Sequence, residues 1–192
     1  MNLKKSLFLL FIVMVIFQLF VPTKMILDRE NILRYGTEFK FKTAPVDPHD
    51  PFRGKYISLQ FDESLVDLPS DKEWLTGETI YLIISADANG FASVDSVTGQ
   101  KPSGSQHFLK TEVSYFYSGR VRVSYPFDRF YMEESKAYDA EMAYQESQAD
   151  TSVTAYALVS IKDGEAVLKD VLIDGIPIME IARQRNENRQ LK

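Results

Sequence analysis

Ala155-Tyr156-Ala157-Leu158-Val159-Ser160-Ile161, then a turn at Asp163-Gly164, then Ala166-Val167-Leu168: this stretch decides the fold class. Two short apolar runs flank a dipeptide that tolerates positive φ, which is the pattern of an antiparallel hairpin. The same pattern recurs on either side of it. Upstream, 111–117 and 120–125 flank Ser118-Gly119, and Gly77–Ala86, through Ile80, Leu82 and Ile84, faces 91–97 across Asn89-Gly90. Glu38-Phe39-Lys40-Phe41-Lys42-Thr43 alternates strictly, with Phe39 and Phe41 inward. Lys55–Phe61 alternates again and puts Lys55, Ile57, Leu59 and Phe61 on one face. Downstream, Asp174-Gly175 turns the chain once more. Seven or eight short hairpin-linked strands predict a mainly β, antiparallel architecture, closed as a barrel or folded as a sandwich. Residues 131–148 have helical composition, with Ala137, Glu141 and Tyr144 at helical spacing, and supply one soluble helix. The domain is expected to span 37–180 and the polar tail 181–192 to fray.

At the other end, Leu7–Val21 is apolar at every position but Gln18 and follows Lys4-Lys5. Fifteen residues are short for a bilayer core of about 30 Å, which takes roughly 20 helical residues. Lysine stems can snorkel, and Met25–Leu27 prolong the apolar character beyond Pro22, a residue placed to bend the helix. A cleaved signal peptide has the same charged start and apolar run. From Leu7 to Pro22, however, there is no Ala, Gly or Ser to form a cleavage site, which favours a retained anchor over 1–23 contacting lipid through 6–23. The basic flank keeps the amino terminus in the cytoplasm and the domain outside it, on the cytoplasmic (inner) membrane of a bacterial envelope. Residues 24–36 then read as a helical stalk ended by Gly36.

Composition narrows the chemistry. The 192 residues are 45% hydrophobic and 26% charged, so the chain is neither disordered nor multi-pass. A net charge of −5 argues against nucleic-acid binding. No cysteine is present, which excludes thiolate catalysis, Cys-ligated zinc and disulfides, and two histidines leave little for a His-rich metal site. No cofactor motif, nucleophile elbow, His-Glu-x-x-His or phosphate loop appears. A Ser–Lys dyad has no distinguishing context, and no catalytic residue is assigned.

Arg53-Gly54-Lys55-Tyr56-Ile57-Ser58-Leu59-Gln60-Phe61, arriving after Pro45-Val46-Asp47-Pro48-His49-Asp50-Pro51, resembles the signature of the GDYXXLXY family. Gly54, Tyr56 and Leu59 match it, whereas Lys55 replaces the eponymous Asp and Phe61 the final Tyr. Tyr125-Pro126-Phe127-Asp128-Arg129-Phe130-Tyr131-Met132-Glu133-Glu134 resembles a second family feature, an Arg-aromatic-aromatic run ending in Glu. The 157–175 hairpin also fits, so the resemblance covers roughly 36–178. It implies a membrane-anchored bacterial protein of uncharacterised biochemistry, of a family that often accompanies multi-pass membrane proteins. The charge reversal at Lys55 speaks against a catalytic role for the family's Asp.

The motif residues Asp47, Asp50, Arg53, Gly54, Tyr56, Leu59, Arg129, Tyr131, Glu133 and Glu134 are the binding candidates. Asp47, His49 and Asp50 could ligate a divalent ion, but Asp and Pro together form turns without one, and no metal site is assigned. Arg53 could fork a ligand carboxylate or phosphate, or pair with Asp47 or Asp50 to fix the Pro loop. Seven aromatics between Tyr115 and Tyr131 could stack a ligand, though alternation buries about half of them. From 128 to 150, seven acids face only Arg129 and Lys136. That stretch is a solvated face, a dock for a basic surface, or a weak cation site. The Pro loop, Arg53 and the Arg129–Glu134 run, which carry complementary charge at strand starts, are expected to meet in one pocket.

Three functions fit. The first is an extracytoplasmic accessory or binding domain serving a multi-pass membrane partner. The second is an envelope hydrolase acting on a peptide or glycan with paired carboxylates among Asp47, Asp50, Glu133 and Glu134. The third is a structural tether without a ligand.

Overall fold

A computed structural model describes residues 3–44, 56–69, 73–104, 106–117, 120–150 and 152–190, of which 3–5, 63, 117 and 190 by backbone alone. The elements in chain order are α1 (Leu3–Tyr35), β1 (Thr37–Ala44), β2 (Tyr56–Ser58), β3 (Gln60–Phe61), β4 (Leu65–Val66), β5 (Thr79–Ala86), β6 (Ala92–Thr98), β7 (Phe108–Tyr117), β8 (Arg120–Ser124), β9 (Arg129–Tyr131), α2 (Glu134–Ala149), β10 (Ala155–Lys162), β11 (Glu165–Ile173), β12 (Ile176–Pro177) and α3 (Ile178–Gln190). A 3-10 turn over Asp62–Ser64 links β3 to β4.

The protein is mainly β. One five-stranded sheet has the order β12-β11-β10-β1-β3, a second β4-β8-β7-β5-β6, and β2 pairs with β9 as a separate ribbon. Among the described residues every pairing between these strands is antiparallel, while the two isolated bridges, Lys40 with Phe91 and Leu109 with Gly164, are parallel. The two sheets approach closure as a barrel. At one seam Lys40 N–H donates to Gly90 C=O at 2.9 Å, and at another Lys110 N–H donates to Gly164 C=O at 2.9 Å. Inside lie the residues that alternation points inward: Phe39 and Phe41 from β1, Ile80, Leu82 and Ile84 from β5, and Ala157, Val159 and Ile161 from β10. Four rings from three segments, Phe41, Phe61, Tyr125 and Phe127, touch pairwise with centroids 5.0–6.0 Å apart.

Seven strands have five residues or more, and the other five are two- or three-residue pieces. The Lys55–Phe61 run shows why. Ile57, Leu59 and Phe61 do share the buried face, but the run divides between two partners. β2 pairs with β9 and β3 with β1, while Leu59 N–H between them donates to Asp128 C=O at 2.8 Å.

The turns follow backbone chemistry. Asp163-Gly164 and Asp174-Gly175 have positive φ at both residues, as a two-residue primed turn needs. At Asn89-Gly90 only the glycine does; Gly90 N–H donates to Asp87 C=O and Asp87 N–H to Phe91 C=O. The loop is therefore three residues, a type I turn closed by a left-handed glycine. Gly164 is further constrained, because a Cβ there would lie 2.5 Å from the Phe108 ring.

Two expectations need correction. The tail from 181 does not fray through its described length; it continues α3 to Gln190. Its apolar signal is confined to the first five residues: Ile178 and Ala182, one turn apart, are fully buried, and Met179 and Ile181 pack partly buried against the core. Charge pairing supplies the rest: Arg183 bridges Glu180 at 2.7 Å and Glu187 at 3.3 Å, while Arg185 reaches Glu146 of α2 at 2.5 Å and Arg189 pairs with Asp139 of α2. Among the described residues there are accordingly two helices outside the apolar one. Residues 24–35 are helical, and the helix stops before Gly36 as expected. α1 runs unbroken through Pro22, and its last two turns dock on the β10–β11 hairpin. Arg29 donates to Ala166 C=O at 3.0 Å, Lys162 donates to Asn31 at 3.1 Å, and Ile32 is buried.

Candidate functional site

The motif strand and the Arg-aromatic run, more than seventy residues apart in sequence, fold into one ribbon. Tyr56 lies opposite Tyr131, Ile57 opposite Phe130, and Ser58 opposite Arg129. The pleat then sorts the side chains. Ile57 is buried and Phe130 partly so, which anchors the ribbon on the core. Tyr56, Arg129 and Tyr131 share the outer face, where the two tyrosine rings are 5.4 Å apart and the guanidinium stands 5.3 Å from the Tyr56 centroid. Hydrogen bonding to the Tyr131 side chain, and then the Asp128 carboxylate 3.8 Å away, holds Arg129 above its ordinary pKa. The face offers aromatic contact and a fixed positive charge.

Leu59 is a core residue, buried to 3%. Glu133 and Glu134 are exposed at the start of α2, where Glu133 pairs with Lys136 at 3.0 Å and Glu134 complements the helix dipole. Neither lines the cavities described below. Asp47, Asp50, Arg53 and Gly54 lie outside the described residues, as does the Pro loop; what is visible of the expected convergence is that the strand following that loop pairs with the strand beginning at Arg129. Among the described residues no three His, Cys, Asp or Glu side chains gather as a metal site.

The aromatic row divides by burial. Tyr125 and Phe127 belong to the core, whereas Tyr115, Phe116 and Tyr131 are about half or more exposed. A bulge between Val113 and Tyr115 breaks the alternation of β7 and turns both Tyr115 and Phe116 outward. The acidic stretch finds part of its basic complement within the chain: Arg185 and Arg189 of α3 take up Glu146 and Asp139 across an open cleft of about 430 Å³. Arg185 holds Glu146 below the usual carboxylate range.

A second cavity, about 160 Å³, has walls from both motif segments. Leu59, Gln60 and Phe61 form one side, Ser124, Tyr125 and Asp128 another, and Ser64, Ser114 and Arg122 complete it. Sequence periodicity gives no hint of Arg122, because an arginine between Val121 and Val123 on a strand reads as a solvent-facing residue. It is instead partly buried, with its guanidinium 5.5 Å from the Tyr115 ring.

No curated protein matches the chain, and no solved structure matches it. The model of the GDYXXLXY protein family matches residues 18–171, from the second half of the apolar helix through most of β11, and includes both strands of the ribbon. That span is well over half of the chain, and this protein belongs to the GDYXXLXY family.

Proposed function

We propose that the chain is a single-pass anchored binding domain, held outside the cytoplasm by α1 and serving a multi-pass membrane partner. The observation that carries this is α1 itself. Residues Ser6–Tyr35 form a helix with mean hydropathy 2.4 in its most apolar stretch, none of which the rest of the protein covers. Residues from Leu7 to Leu27 expose large side chains such as Phe8, Leu10, Ile16, Phe17 and Ile26 all around the helix. A helix apolar on every side is stable in lipid and costly in water. Lys4 and Lys5 support an inside amino terminus.

Geometry adds a consequence. Roughly 20 residues of α1 fill a bilayer core, and the helix is already docked on the β10–β11 hairpin at Arg29. Only a turn or so is left between lipid and domain, so the domain rides against the membrane surface. The outer face of the ribbon, with two tyrosine rings beside a guanidinium, suits recognition.

A C-terminal reporter that is active only outside the cytoplasm, expressed on the full chain, tests the topology. Activity outside is expected, and activity inside overturns it. Crosslinking in cells followed by purification in mild detergent tests the partner. A stoichiometric multi-pass protein is the expected product, and recovery of the chain alone overturns that part.

A further inference from the structure

We propose that the cavity around Arg122 binds a small oxyanion, the carboxylate or phosphate group of an extracytoplasmic solute. The inference deepens the binding-domain reading and takes from it only the location of the solute. Arg122 Nε is buried and has no hydrogen-bond partner. A guanidinium carries five donors and cannot shed its charge in the physiological range, so an unmet buried donor is a standing cost that an acceptor would relieve. Its planar fork matches two oxygens of one carboxylate or phosphate.

The surroundings point the same way. Tyr115 stands over the guanidinium, with its ring centre 5.5 Å from Cζ. Ser64, Ser114 and Ser124 bring hydroxyls to the same cavity, and among the described residues none of these hydroxyls makes a hydrogen bond within the protein. Ser114 belongs to the bulged part of β7, and bulges re-aim side chains beside binding sites. The carboxylate that could have neutralised Arg122 does not: Asp128 lines the cavity, yet its ion pair is with Arg129. By contrast Arg120, two residues earlier on β8, is satisfied by Asp67 and by Leu65 C=O, both at 3.1 Å. A volume of about 160 Å³ admits one oxyanion with a short apolar stem against Leu59 and Phe61.

The test titrates the full chain in detergent micelles, separately with inorganic phosphate and with acetate, against chloride at matched ionic strength. Backbone amide shifts at 114, 122 and 124 are the readout. Saturable shifts with a Kd in the millimolar range or tighter are expected for at least one probe. Arg122→Gln should weaken that binding about tenfold or more, as loss of a charge-assisted pair does, and Arg120→Gln should leave it unchanged. No saturable shift with either probe overturns the proposal, as does equal affinity in folded Arg122→Gln. Should Arg122→Gln fail to fold, Ser114→Ala replaces it, with weaker binding expected and unchanged binding overturning the site. A reporter found inside the cell would sink the topology and leave these shifts in place, so the two failures are distinguishable.

Discussion

The Arg129 guanidinium lies 5.3 Å from the centre of the Tyr56 ring, on the one ribbon that joins the two family motifs. Its ion pair with Asp128 is long and exposed, and such pairs contribute little. The ring contact, the tilted Tyr56–Tyr131 ring pair and the hydrogen bond between Arg129 and Tyr131 are therefore what order this outer face. A double-mutant cycle of Tyr56→Ala and Arg129→Ala should give a coupling of about 0.5–1 kcal/mol in chemical denaturation. Leu59→Ala, beneath the same segment, should cost about 2–5 kcal/mol, because it empties a core position. Independent effects of Tyr56 and Arg129 would mean that the ribbon face is not pre-organised.

Gly36 joins the apolar helix to β1. A Cβ at this position would stand 2.5 Å from Ile32 C=O and 3.1–3.2 Å from the Ile161 backbone. The helix end can lie against β10 only because that atom is missing. Gly36→Ala should destabilise the full chain by about 1–3 kcal/mol, as other overpacking substitutions do, measured by thermal unfolding in micelles. A neutral result would show that the helix end is free to lift from the hairpin.

Alternation made β1 and β5 legible, since each has one face on the core, and the β10–β11 hairpin is legible from its apolar runs and from Asp163-Gly164, which can adopt the φ values its turn demands. What periodicity could not carry was context. α3 offers apolar residues only in its first five positions, Ile178 to Ala182, and the rest of its length depends on partners that lie on α2. The bulge at Val113/Tyr115 has no sequence mark, so the outward turn of Tyr115 and Phe116 is visible only in three dimensions. At the site, Tyr56 and Arg129 are legible from the family motif. Arg122 is not, because its burial comes from β4 and Tyr115 closing over a residue that a strand would otherwise show to water.

Asp139 is buried to 2% and paired with Arg189, whose own side chain is 60% exposed. Arg189→Ala would leave a buried carboxylate without its counter-ion. Breaking a fully buried pair costs more, but with one partner in water the loss should be about 1–2 kcal/mol. Asp139→Asn in the Arg189→Ala background should recover part of it, because the uncompensated charge is then gone. Denaturant unfolding of the four variants checks this, and strict additivity would refute the pairing.

Tyr144 packs at the centre of α2 with 3% exposure, and its hydroxyl finds no hydrogen-bond partner. The nearby Thr43 hydroxyl donates to Ala155 C=O at 3.0 Å and accepts from Gln148 at 2.9 Å. Burial pushes the phenol from 10.0 up to about 12. Below pH 10 both folded and unfolded chains keep the proton. Between pH 10 and about 12 the unfolded chain releases it while the folded protein retains it, so stability falls as pH rises through that window. Two pKa units correspond to roughly 2–3 kcal/mol. Tyr144→Phe removes both the orphan hydroxyl and the titration. It should be as stable as the parent or slightly more so at neutral pH, and should lose less stability than the parent on raising the pH from 10 to 12. Parallel stability–pH curves for the two proteins would show that the hydroxyl is solvated after all.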